Sequence, residues 1–104
     1  MSEENWHKAA NKEDILEDEP IRVQIGEEDI AIYKIGNNYH ATSNICTHAY
    51  ASMVDGFQEG EEIECPLHEG RFNIKTGEAL CAPVTDPLKI FEVKIEGEFI
   101  FVKV

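Results

Sequence analysis

Two short stretches concentrate the residues able to hold a metal: Cys46-Thr47-His48 and Cys65-Pro66-Leu67-His68. Written as a pattern they form C-x-H-x16-C-x2-H. Each stretch offers one thiolate and one imidazole, the ligands that soft and borderline metals prefer. The chain has only three cysteines and four histidines, so two Cys–His pairs at this spacing are hard to obtain by chance. A Cys2His2 set can hold a tetrahedral zinc ion. It can equally hold an iron–sulfur cluster with two thiolates on one iron and two imidazoles on the other.

The two boxes, Cys46-Thr47-His48 and Cys65-Pro66-Leu67-His68-Glu69-Gly70, resemble the paired boxes of the Rieske family. The resemblance continues through Arg71-Phe72-Asn73, Thr76-Gly77 and Cys81-Ala82-Pro83-Val84, then into a closing strand from Leu88. It covers nearly the whole chain. It implies one Rieske-type [2Fe–2S] cluster per chain, with Cys46 and Cys65 on the inner iron and His48 and His68 on the outer iron near the surface. The stretch around Pro83 resembles the loop that covers the cluster from a third side.

Two departures narrow the class. Membrane-bound respiratory members of the family carry an extra cysteine in each box, joined as a disulfide. The matching positions here are Tyr50 or Ala51 and Leu67, so that bond cannot form. Those members also place a serine and a tyrosine after the second box, whose hydroxyls bond to cluster sulfurs. Here the residues are Gly70 and Phe72. Two neutral imidazoles in place of thiolates ease reduction relative to a four-cysteine cluster, and sulfur-directed donors would ease it further. Without those hydroxyls, and among many acids, the potential is expected near the low end of the Rieske range, about −150 mV. The chain thus resembles the Rieske ferredoxins of bacterial aromatic-ring dioxygenase systems. The resemblance implies electron transfer from a flavoprotein reductase to a terminal oxygenase. A small Rieske-like subunit of a cytoplasmic nitrite reductase and a zinc-stapled interaction module are the alternatives.

The elements that must position these boxes read mostly as strands. Trp6-His7-Lys8-Ala9-Ala10 forms a first strand, and residues 11–18 suggest one helical turn with Asn11 as its cap. Ile21, Val23 and Ile25 alternate with polar residues as in a half-buried strand. Gly26 to Asp29 turns, residues 30–35 form a strand, Gly36-Asn37-Asn38 turns again, and residues 39–42 return. Near the other end Phe91, Val93 and Ile95 alternate, Glu96-Gly97 turns, and residues 99–104 pair back. The expected fold is all-β: a Rieske-like antiparallel sandwich or barrel in one domain, 1–104. Residues 1–42 and 84–104 would be the β scaffold and 43–83 an inserted cluster-binding subdomain.

The 104 residues suit one domain. The formal charge is −12, from 21 acids and 9 bases. That excludes phosphate binding by clustered Lys and Arg, hence nucleic acid, and opposes docking to anionic membranes. It suits steered encounter with a basic protein face. No apolar run approaches the ~20 residues of a membrane span, and the first residues lack the features of a secretory signal. A cytoplasmic monomer is expected. Nothing resembles a dinucleotide fingerprint or a mononuclear iron triad, so the chain is expected not to be an enzyme itself. Cys81, His7 and His40 read as structural or surface residues. Tyr50, Met53 and Phe72 are candidates to shield the cluster. Glu59, Glu61, Glu62, Glu64 and Glu69 are candidates for an acidic docking face.

Overall fold

A computed structural model describes residues 5–47, 51–67, 70–81 and 86–104 of the chain. Alternation, β-branched residues and Gly-bearing turns yield eleven strands among the described residues: β1 Trp6–Asn11, β2 Ile21–Ile25, β3 Glu28–Ile35, β4 Asn38–Ser43, β5 Phe57–Glu59, β6 Glu62–Glu64, β7 Arg71–Asn73, β8 Ala79–Cys81, β9 Ile90–Phe91, β10 Val93–Glu96 and β11 Phe99–Lys103. They form three antiparallel sheets, ordered β1-β11-β10, β2-β3-β4-β9 and β5-β6-β7-β8. The first two belong to the ends of the sequence. The third lies wholly in the middle stretch that carries the boxes. The turn between β2 and β3 has two residues, with Gly26 first at a φ of 60°, a backbone region where glycine escapes the Cβ penalty.

β3 organises the interior. Ile30, Ala31, Ile32 and Tyr33 are all fully buried, because both faces of this strand are covered. Successive side chains point to opposite faces. Ile30 and Ile32 join Ile15, Phe91, Ile100 and Val102 in one core. Ala31 and Tyr33 join Cys46, Cys65, Met53, Ile63 and Phe72 in the other. One strand thus couples the scaffold to the core that contains both box cysteines. The Tyr33 hydroxyl lies 2.8 Å from Thr42 Oγ1 across to β4, so this buried polar tip is satisfied.

Two local expectations are modified. The helical turn after β1 is a 3-10 turn confined to Lys12–Asp14, where the Asp14 carboxylate accepts the Asn11 backbone N–H at 3.3 Å. It stops short because the next residue, Ile15, is already extended, with φ −117° and ψ 121°, and buries its side chain in the core; Asp18, at a φ of 64°, then forms the tight bend between Leu16 and Glu19. The alternating run from Phe91 to Ile95 is not one strand. It breaks at Glu92, so Ile90–Phe91 pairs with β4 while Val93–Glu96 pairs with β11. The break hands the chain from one sheet to the next. No helix among the described residues is long and apolar enough to cross a membrane.

His40 lies on β4, half-buried, with Nε2 buried and lacking a hydrogen-bond partner among the described residues. Burial lowers its pKa below the ordinary imidazole value, Lys75 pushes it the same way, and Glu61 opposes. Below about pH 6.5 the unfolded chain therefore binds a proton that the folded chain resists, and stability falls as pH drops. Urea midpoints measured between about pH 7.5 and 5.5 are expected to decline less in His40→Gln than in the parent protein.

Candidate metal centre

The first box follows β4 and the second follows β6. Each begins a loop that closes in the same way. The Cys46 N–H donates to the Ala51 carbonyl at 2.9 Å, and the Cys65 N–H donates to the Gly70 carbonyl at 2.7 Å. Each loop therefore runs from its cysteine to the fifth residue beyond it. His48 and His68, and also Tyr50, Glu69 and Pro83, lie outside the described residues.

The stems of the two loops differ. The second stands on a β ladder, with Glu64 opposite Arg71, Ile63 opposite Phe72 and Glu62 opposite Asn73. The first stands on a single isolated bridge, Ile45 opposite Ser52. A side-chain bond ties the first loop onward: Thr47 Oγ1 donates to the Asp86 carbonyl at 2.8 Å, just past residues 82–85. Thr47 had no role in the sequence reading, and nothing in its type marks it out.

Cys46 and Cys65 are 5% and 1% exposed and share one buried core. Burial pushes the Cys65 thiol up to about 11; the Leu67 backbone N–H offsets part of this, while Cys46 and Glu64 raise it further. A Cys65 thiol raised in this way is protonated at neutral pH unless a cation replaces the proton. A soft metal suits this pair, and two thiolates on one iron would satisfy it. Met53 and Phe72 are fully buried in the same core, so they enclose the cysteines as well as pack. Gly70 is buried too, and neither it nor Phe72 carries a hydroxyl.

The other candidates lie elsewhere. Cys81 is exposed on β8, opposite Arg71, rather than semi-buried. His7 is exposed on β1. The acids of the third sheet are largely engaged. Arg71 meets Glu64 at 2.9 Å, Glu59 at 3.1 Å and Glu62 at 3.3 Å, and Lys75 meets Glu61 at 3.2 Å.

A family model of the Rieske [2Fe-2S] domain matches residues 5–92. The chain belongs to the Rieske [2Fe–2S] family. This Rieske chain is 47% identical, over 100 residues and 96% of each chain, to the ferredoxin component of the naphthalene 1,2-dioxygenase/salicylate 5-hydroxylase systems of Ralstonia sp.. Its fold matches the Sphingomonas yanoikuyae B1 ferredoxin with a TM-score of 0.92 and 33% identity, covering 96% of this chain and 99% of that one. It also matches a chain in the complex of reduced oxygenase and oxidized ferredoxin in carbazole 1,9a-dioxygenase, with a TM-score of 0.90, 36% identity and coverage of 95% and 93%. The Rieske chain is accordingly an electron-transfer ferredoxin, not an oxygenase, and its cofactor is a single Rieske [2Fe–2S] cluster. The zinc alternative falls with that assignment.

Proposed function

We propose that this Rieske ferredoxin carries single electrons from a flavin-dependent reductase to the terminal oxygenase of an aromatic-ring dioxygenase system, its cluster held by Cys46, Cys65, His48 and His68. The observation that carries the ligand set is the burial of both cysteines in one core, at the heads of two loops closed alike. Each loop contains one of the two histidines in sequence. When bound, the cluster supplies one-electron redox chemistry. The chain's residues exclude water from the sulfur side, through Phe72, Met53 and Tyr33. One donor is aimed at a sulfur, the Leu67 backbone N–H. The missing hydroxyls at Gly70 and Phe72 keep the expected potential near the low end of the Rieske range, about −150 mV.

Residues 43–83 act in this reading as the cluster-bearing insertion and 1–42 with 84–104 as its support, in a cytoplasmic monomer. Exposed Leu67, at 47%, gives the second loop an apolar contact for a partner. The net charge of −12 provides long-range steering toward a basic face. Raising ionic strength from 0.1 to 1 M shortens the Debye length from about 10 to about 3 Å. In stopped-flow reduction by a flavoprotein reductase, the second-order rate is expected to fall on the order of tenfold or more over that range. The midpoint potential should stay nearly constant. A salt-independent rate would mean that the charge serves solubility only.

A further inference from the structure

We infer that Asn44 is the positioning residue of the first ligand loop, replacing with one side chain the β ladder that the second loop has. The inference rests on the proposed ligand role of Cys46 and His48. Asn44 lies two residues before Cys46 and is fully buried. Its backbone N–H donates to the Asp29 carbonyl at 2.8 Å, and its own carbonyl accepts the Met53 N–H at 2.6 Å. Its side-chain Nδ2 donates to Ser52 Oγ at 2.6 Å and to Asp29 Oδ1 at 3.2 Å. Its Oδ1 accepts the Val54 N–H at 3.1 Å. One residue thus binds the loop's exit, at 52–54, to the start of β3 beside its entrance.

The anchor is itself held. Arg22 on β2 grips the Asp29 carboxylate with two bonds, at 2.8 and 2.7 Å. A chain of directional contacts therefore runs from surface Arg22 through Asp29 and Asn44 to Ser52 and Val54. The donor–acceptor sense is fixed: Asp29 and Ser52 receive from an amide that only asparagine or glutamine carries. Removing a partner from a buried set leaves the others unsatisfied. Among the described residues the stem has one bridge, the Cys46–Ala51 closure and the Met53–Asn44 backbone bond, so the Asn44 side chain supplies the bonds to Ser52, Val54 and Asp29 that a ladder would otherwise provide.

The test exchanges donor and acceptor. In Asn44→Asp a carboxylate faces the Asp29 carboxylate. Iron release to a chelator is expected to accelerate by about tenfold, the scale of one unsatisfied buried group, and the electron paramagnetic resonance g values of the reduced protein should shift. Combining Asn44→Asp with Asp29→Asn restores a donor against an acceptor and should bring both readouts back toward the parent. Ser52→Ala removes a single bond, retains the fold, and should shift the g values less in the same direction. Because Asp29→Asn alone loosens the Arg22 grip, recovery is read against that single variant: a double variant that lies no closer to Asp29→Asn than Asn44→Asp does overturns the inference, as do unchanged g values in Ser52→Ala. Iron loss that merely follows the urea midpoint does so too. Cys46→Ser separates the underlying reading: retention of the parent spectrum there refutes the ligand assignment itself, whereas its loss beside an indifferent Asn44→Asp refutes only the positioning role.

Discussion

Cys46→Ser and Cys65→Ser are each expected to yield a protein without the visible absorption of the cluster, while Cys81→Ser keeps it. The first two substitutions break a thiol pair that is buried in one core. Serine offers a harder oxygen whose hydroxyl stays protonated at neutral pH, so the iron would lose a ligand outright rather than exchange it. In Cys46→Ser the remaining Cys65 would keep its burial-raised pKa with no metal to deprotonate it. Cys81 sits exposed on β8 in register with Arg71, outside the core that holds the pair. Iron per chain and the visible spectrum, measured on all three variants, decide the matter. A colourless Cys81→Ser protein would overturn the ligand scheme.

Gly56→Ala is expected to cost about 3 kcal/mol or more, the upper part of the range for overpacked sites. A Cβ at Gly56 would run into the backbone carbonyl oxygen of Glu64, the residue before Cys65. Backbone on both sides cannot step aside as a flexible side chain can. The φ of Gly56, −87°, is one any residue adopts, so the effect is steric. Gly26→Ala provides the contrast. It has open space around it but a positive φ, and should cost about 1 kcal/mol. For urea slopes of about 1–3 kcal/mol per molar, the Gly56→Ala midpoint should fall by roughly 1–3 M. Equal midpoints for the two variants would contradict the close approach.

Much of this architecture was legible in the residues. The alternation of Ile21, Val23 and Ile25 and the Gly-bearing turns lead directly to the β2–β3–β4 meander, because a half-buried strand and its turn leave local signatures. The two boxes stand out because cysteine and histidine are scarce in the chain. The break at Glu92 was not legible: the residues on either side keep a two-residue period, and only the choice of partner strand divides them. The pairing of Arg71 with three glutamates was equally hidden, since it follows from cross-strand register in the third sheet. That register turns the expected acidic docking face into one whose charges are partly spent on Arg71. Asn44 was passed over because a lone asparagine between a strand and a loop reads as ordinary turn chemistry. Its importance comes from Asp29 and Ser52, which approach it from other parts of the chain.

The central claim is that a [2Fe–2S] cluster is held by two particular histidines as well as two cysteines. The chain contains four histidines, so replacing His7 and His40 with glutamine leaves only His48 and His68. Pulsed electron paramagnetic resonance on the reduced double variant, labelled with 15N-histidine, then reports on those two alone. The account predicts couplings from two histidine nitrogens to the cluster. A reduced cluster with no labelled coupling, or with only one, would contradict it.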